Sequence, residues 1–289
     1  MTKKPSGLVK LPTTFVRQAI RSALAEDMGR AGDITTDSIV PAEDRMTAEI
    51  VARQPGCIAG LDFASQAFRK LGKKTTKVQI LKNDGSLVQP GDSVLRVEGP
   101  ARAILTAERV ALNYVGHLSG IATATREIVE AVKPHNVKIT CTRKTTPGMR
   151  AFEKYAVRAG GGSNHRFGLD DGILIKDNHV AVAGGIASAI ERAKAHAGHM
   201  VKIEIEVDTL DQLAEALDCN VDVVLLDNMS PETLKKAVAM IDGRAISEAS
   251  GRINIETAPA VAASGVDVIS VGWLTHSSPC LDVGLDFVK

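Results

Sequence analysis

Aromatic side chains are scarce in this sequence: six Phe, two Tyr and one Trp make up 3% of 289 residues. So few rings leave little to stack successive bases against, and the core must be aliphatic. Neither sign of charge dominates, with 35 Lys plus Arg against 34 Asp plus Glu and a net charge of +1. That balance excludes a protein that neutralises many phosphates through a basic face, so charge has to act locally. No uncharged apolar run approaches the ~18 residues of a membrane span, and the opening MTKKPSGLVK lacks the apolar stretch of a secretory signal. The four cysteines, Cys57, Cys141, Cys219 and Cys280, form no C-x-x-C pair, which points to reduced thiols and a cytoplasmic protein. G-x-x-x-x-G-K-[ST], G-x-G-x-x-G and H-E-x-x-H are all missing.

What is present is a globular balance of 44% hydrophobic and 24% charged residues. The length lies near the point where a single core stops growing. From about residue 137 onward, short β-branched runs alternate with helical patterns: VKITCT (137–142), GILIK (172–176), VKIEIEV (201–207), VDVVLL (221–226), AISEAS (245–250) and VDVISV (266–271). Thr209–Gln212 reads as a capping box, and Ser230-Pro231 as an N-cap followed by Pro at N1. Six such units predict a parallel barrel or a doubly wound sheet.

The first hundred or so residues lack that rhythm and predict another domain. Val16, Ile20, Ala23 and Leu24 have helical spacing, with a Thr at the cap and Gly29 at the end. Strand-like stretches follow around MTAEIVA, KVQIL and SVLRVEG, separated by the turn sequences Asn83-Asp84-Gly85 and Pro90-Gly91-Asp92. A helix layered on an antiparallel sheet is expected. Residues 104–132 read as long helical material interrupted at Gly116 and Gly120.

Charge is segregated along the barrel half. The window Arg143–Lys176 holds seven basic residues against three acidic ones, whereas Lys202–Glu232 holds nine acidic residues and one basic. Arg150, Lys154, Arg158, Asp211, Glu215 and Asp218 sit at helical spacing and predict solvated helix faces. Lys176, Glu206 and Asp227 instead fall at or near the C-terminal ends of predicted parallel strands, where barrel active sites lie. In a parallel barrel both sheet faces are covered, so Lys202, Glu204 and Glu206 are expected to point inward. Glu206 and Asp227, from separate strand ends, suit a hard cation such as Mg²⁺.

Gly251 and Gly272 follow the last two strands, where backbone N–H groups of barrel loops often cradle a phosphate. Arg143, Lys144, His165, Arg166 and Lys176 form a basic group. Two cations ~6 Å apart at an effective dielectric of ~20 repel by about 3 kcal/mol, so such crowding calls for an anion. A small polyanionic substrate follows.

The stretches LAEDMGRAGDITT, ERVALNYVGHLSGIATAT, TRKTTPGMRAFEKYAVRAGGGSNHRFGLDDGILIKDNH, EIEVDTLDQL, VVLLDNMSPE, EASGRINIET and ISVGWLTHSSPCLD resemble the quinolinate phosphoribosyltransferases, also called nicotinate-nucleotide pyrophosphorylases (carboxylating). The resemblance covers nearly the whole chain. It implies an N-terminal α/β sandwich-like domain over 1–117, and an incomplete parallel α/β barrel of fewer than eight strands over 118–275. A C-terminal segment, 276–289, is expected to pack back on the first domain. It implies Mg²⁺, the substrates quinolinate and phosphoribosyl pyrophosphate, and a homodimer in which Arg109 reaches the neighbour's site. By the same carry-over, Arg143, Lys144, His165, Arg166 and Lys176 surround quinolinate. Glu206 and Asp227 serve the metal and the ribose, and Ser250, Gly251, Gly272 and His276 lie near the phosphates. Lys144, Lys176, Glu206 and Asp227 are the expected catalytic residues.

Arg252 and Trp273 depart from the family pattern, standing where a second glycine and a small residue are usual. Two other readings stay open from the residues: a relative of the same fold acting on another substrate, and a Schiff-base lyase with Lys176 as nucleophile.

Overall fold

Local chemistry sets most element boundaries in the computed structural model, which describes residues 8–288. Helix α1 (Thr13–Met28) buries Val16, Ile20 and Leu24 on one stripe and stops at Gly29, whose φ is +53°. Pro12 takes the cap position rather than the expected Thr, and Thr13 and Thr14 both lie inside the helix. A proline there pre-sets a helical φ and has no N–H to leave unsatisfied. Then come α2 (Ile34–Ile39), β1 (Arg45–Ala52), β2 (Gly56–Cys57), α3 (Leu61–Gly72), β3 (Lys77–Ile80), β4 (Leu87–Val88), β5 (Ser93–Pro100) and α4 (Ala101–Ala131).

The second half continues with β6 (Lys138–Thr140), α5 (Arg150–Ala159), β7 (Ile173–Ile175), α6 (Asp177–Ala183), α7 (Ile186–His196), β8 (Ile203–Val207) and α8 (Leu210–Asp218). It ends with β9 (Val223–Asp227), α9 (Pro231–Ile241), β10 (Ile246–Ser250), α10 (Ala258–Ala262), β11 (Val268–Ser270), α11 (Trp273–His276) and β12 (Val283–Phe287). None of the described helices is long and apolar enough to cross a membrane.

Two compact units result. One comprises Met1–Ala124, Ala151–Gly161 and Ser277–Lys289; the other comprises Thr125–Arg150 and Gly162–His276. The sequence reading divides the chain at 117/118 and 275/276. The units divide it inside α4 and after α11, and α5 joins the first unit.

In the first unit the antiparallel order is β12-β1-β5-β3. The C-terminal strand β12 therefore completes a sheet begun by β1, and α3 packs on β3 and β5 with α1 against it. Phe63, Tyr114 and Phe152 gather here, with the Phe63 and Tyr114 rings stacked at 4.7 Å and Phe152 edge-on to Phe63 at 4.9 Å.

Helix α4 is unbroken over its 31 residues, contrary to the expected interruption at Gly116 and Gly120. These glycines serve close approach instead. A Cβ on Gly120 would lie 2.0 Å from the Pro279 carbonyl oxygen, and the Leu281 N–H donates to the Gly116 carbonyl at 2.9 Å.

In the second unit all six strands are parallel, in the order β6-β11-β10-β9-β8-β7. The first strand closes on the last, as in a barrel, but β6 and β7 do not pair. The barrel is incomplete and six-stranded. Both predicted caps are formed: Thr209 and Gln212 make the capping box of α8, and Ser230 caps α9 with Pro231 at N1.

Because Gly120 has backbone where a methyl would go, Gly120→Ala is expected to lower stability by about 1–3 kcal/mol. Gly198 has open space around its missing Cβ, and Gly198→Ala should change stability by less than about 0.5 kcal/mol. Urea unfolding of the two variants measures the difference.

Candidate active site

The missing β6–β7 pairing shapes the site. Ser163 makes a single parallel bridge to Thr140, reinforced by Ser163 N–H to Ile139 O at 2.8 Å. The segment after Gly162 thus enters the gap in the barrel wall, and His165 and Arg166 follow two and three residues later. Lys176 comes directly after β7, Glu206 is the penultimate residue of β8, and Asp227 and Ser250 end β9 and β10. All converge on the C-terminal mouth of the barrel, as expected.

There a cavity of about 440 Å³ is lined by Arg143, Lys144, His165, Arg166 and Lys176 together with Glu206, Asp227 and Glu248. The Nε atoms of Arg143 and Arg166 are buried without a hydrogen-bond partner. Burial, and then the like charge of Arg143, pushes the Arg166 guanidinium below its ordinary value. Arg166 is held in place by a hydrogen bond from Nη1 to the Gly172 carbonyl at 2.9 Å. Cations crowded and partly desolvated in this way favour an anionic occupant.

Lys176 Nζ donates to Glu206 Oε2 at 2.6 Å. Asp227 has no such cation at contact distance. Burial first, then Glu206 and Asp208, push its carboxyl above the usual range, while Asn228 and Lys176 only partly offset this. Asp227, without a cation at contact, and the neighbouring Glu206 put two carboxylates at one cavity edge, a donor set that fits a hard divalent cation.

A second cavity, of about 310 Å³, shares Thr142, Lys144, Asp227, Ser250 and Ser270 with the first and adds Gly251, Gly272 and His276. Gly251 has φ +102°, and a Cβ there would lie 2.2 Å from Asn228 Oδ1, so only glycine fits. Arg252 adopts φ +51°, a left-handed conformation that costs a non-glycine residue about 1–2 kcal/mol. The usual glycine is thus accounted for. Trp273 donates through Nε1 to the Ile253 carbonyl at 2.9 Å, and both residues line this cavity.

Some expectations need correction. Lys154 is buried, 2% exposed, rather than on a solvated face, because α5 carries it and Glu153 into the interior of the first unit. Lys202 does not point inward. It precedes β8 and pairs with Asp222 at 2.9 Å, two-thirds exposed. Arg109 is exposed on α4, in the first unit.

Sequence reading missed Glu248 altogether and gave Glu204 no role. His165 Nε2 lies 3.0 Å from Glu204 Oε2 and 3.6 Å from Glu248 Oε1, and all three groups are mutually within 4.8 Å. The available signal was alternation. Glu248 is two residues before Ser250, hence on the same inward face of β10, as Glu204 is to Glu206 on β8.

Known proteins match this chain over both halves. Residues 33–119 match the quinolinate phosphoribosyl transferase N-terminal domain and residues 121–286 the C-terminal domain. A probable nicotinate-nucleotide pyrophosphorylase (carboxylating) of Bacillus subtilis strain 168 is 45% identical over 271 residues, covering 94% of this chain and 93% of that protein. The nicotinate-nucleotide pyrophosphorylase (carboxylating) of Mycobacterium leprae is 46% identical, covering 93% and 96%. The solved nicotinate-nucleotide pyrophosphorylase of Francisella tularensis superposes with a TM-score of 0.92 at 38% identity, over 99% of this chain and 100% of that one. With both domains matched and relatives of this identity covered almost end to end, the chain belongs to the quinolinate phosphoribosyltransferase family and is a transferase.

Proposed function

We propose that this chain transfers the phosphoribosyl group of phosphoribosyl pyrophosphate to the ring nitrogen of quinolinate, in a Mg²⁺-dependent reaction that yields nicotinate mononucleotide, pyrophosphate and carbon dioxide. The activity belongs to NAD biosynthesis. One observation carries the reading. A cavity with two partnerless, buried arginine Nε groups faces Glu206 and Asp227 and continues into a glycine-walled cavity on the same barrel mouth. A diacid and a sugar diphosphate need such neighbouring sites.

Arg143, Arg166, Lys144 and Lys176 pair the two carboxylates of quinolinate and hold its ring beside the ribose. Gly251, Gly272, Ser250 and His276 receive phosphate oxygens. Glu206 and Asp227 would hold Mg²⁺, which when bound supplies positive charge to the pyrophosphate leaving group. As C1 of the ribose loses that group it becomes cationic, and the carboxylates at the cavity edge stabilise it electrostatically. The alkylated ring nitrogen, now a pyridinium, then stabilises the carbanion left on the adjacent ring carbon when its carboxylate departs as carbon dioxide, and that carbon takes a proton from solvent, so no separate decarboxylation cofactor is required. A Schiff-base lyase is disfavoured, because Lys176 Nζ is engaged by Glu206 at 2.6 Å rather than free to attack a carbonyl. Arg109, exposed on its helix, is read as the residue one protomer of a homodimer lends to the other's site.

Ultraviolet detection of quinolinate loss, with phosphoribosyl pyrophosphate and Mg²⁺ present, is the direct test; nicotinate consumed in its place would overturn the assignment. Asp227→Asn is expected to weaken the Mg²⁺ dependence while quinolinate binding, followed by calorimetry, is retained. Arg143→Ala and Arg166→Ala should each weaken quinolinate binding by about a hundredfold, equivalent to about 3 kcal/mol, because a buried charge loses its partner. Calorimetry should show affinity for phosphoribosyl pyrophosphate much less affected. Arg109→Ala and Lys176→Ala, each inactive alone, should regain activity in the same assay when mixed and allowed to exchange protomers.

A further inference from the structure

Two glutamates and a histidine meet beneath the cations of the first cavity, and the roles proposed above use none of the three. Glu204 and Glu248 are 7% and 5% exposed. Each leaves its Oε1 buried without a hydrogen-bond partner. Glu248 also lines the cavity that the anion must enter.

The proton count at this cluster follows from its contacts. The backbone N–H of Arg166 donates to His165 Nδ1 at 2.7 Å, so Nδ1 is an acceptor and Nε2 carries the ring proton. That single N–H is directed at Glu204, 3.0 Å away, while Glu248 Oε1 lies at 3.6 Å, beyond a hydrogen bond. Two carboxylates this close and this buried cannot both stay ionised with one N–H between them. Burial first, and then Glu204, push the Glu248 carboxyl up to about 7, partly offset by His165 and by a hydrogen bond from Ser270.

We propose that Glu248 functions as a neutral carboxylic acid, a hydrogen-bond donor on the wall of the anion pocket, and that its neutral form is what allows an anionic substrate to occupy a cavity that Glu206 and Asp227 already line. Glu204 from β8, His165 from the gap segment and Ser270 from β11 face it directly. Arg143, Lys144, Arg166 and Lys176 line the same cavity, as do Glu206 and Asp227. With Glu248 neutral, the acids lining the cavity are Glu206 and Asp227, set against these cations. With Glu248 ionised a third negative charge joins them, and the ligand is repelled. The acid therefore sets pH-dependent affinity, and only the binding part of its test rests on quinolinate being the substrate.

The sign is fixed by the carboxyl. Glu248 is neutral below about 7 and ionised above it, so affinity should fall as pH rises. Calorimetric titration of the full chain with quinolinate is expected to give a Kd at least about tenfold weaker at about pH 9 than at about pH 6. Glu248→Gln, a permanently neutral donor, should bind as the wild type does at the lower pH and lose most of that dependence. A flat wild-type profile, or a Gln variant with the wild-type slope, overturns the proposal. Infrared spectroscopy of the wild-type protein without ligand supplies the independent arm. A protonated carboxylic acid band should be present at about pH 6 and lost at about pH 9, and its absence at the lower pH also overturns the proposal. If the band is present but quinolinate binds at neither pH, the substrate reading fails, and the second claim, that this acid admits the substrate, falls with it.

Discussion

An unpaired strand edge governs this catalytic half. Six parallel strands close β6 onto β11 but leave β6 and β7 apart, so the wall has an opening that backbone hydrogen bonding does not fill. Backbone polar groups at such an edge need partners. Ser163 supplies one set through its bridge to Thr140 and its bond to Ile139. The chain that provides those bonds then places His165 and Arg166 inside the barrel. In a closed eight-stranded barrel that space is filled by side chains from the strands. Here a loop occupies the wall, and the interior gains a cavity and two cationic or titratable groups that no strand carries.

Electrostatics then constrains what else the interior holds. Arg143 and Arg166 repel each other, Glu206 and Asp208 raise Asp227, and Glu204 raises Glu248. Only Lys176 and Glu206 settle into a close pair of opposite sign. The rest of the mouth is an arrangement of like charges held near one another by strands and by the loop. Such an arrangement is costly without ligands and becomes favourable once anions and a divalent cation bridge it. The site is preorganised for charged substrates, and the hydrophobic core around it bears that cost.

The six strands and their order of function were legible in the sequence because parallel strands bury both faces and leave compact β-branched runs between capped helices. Lys176, Glu206, Asp227 and Gly251 were legible for the same reason, since a strand end is a position that periodicity can locate, whereas Ser250 came only with the family resemblance. The unbroken course of α4 was not legible. Glycine lowers helix propensity, and only the carbonyl of Pro279, more than 150 residues away, gives Gly120 a reason to be there. Lys154 was misread because helical spacing says which residues share a face but not which face is wet. Glu248 escaped notice because its partners, Glu204 and His165, are remote in sequence and meet only across the barrel.

Strand β8 shows how the site and the core divide one element between them. Its sequence, Ile-Glu-Ile-Glu-Val, alternates strictly, and by itself would suit a half-solvated antiparallel strand. Ile203, Ile205 and Val207 are buried on the side where α7 and α8 pack, whereas Glu204 and Glu206 turn to the barrel axis. On this strand the usual assignment is inverted: the branched apolar residues that ordinarily fill a barrel are all on the outer face. Cohesion of β8 comes from its ladders to β7 and β9 and from the sheet-to-helix layer, which leaves the axis available for charge. A buried, inward acid such as Glu204 is tolerated there because His165 meets it at 3.0 Å and because removing it would add nothing to the layer that packs on the helices. The same division on β10, with Ser247 and Ala249 on one side and Glu248 and Ser250 on the other, makes the polar interior a property of the sheet rather than of one residue.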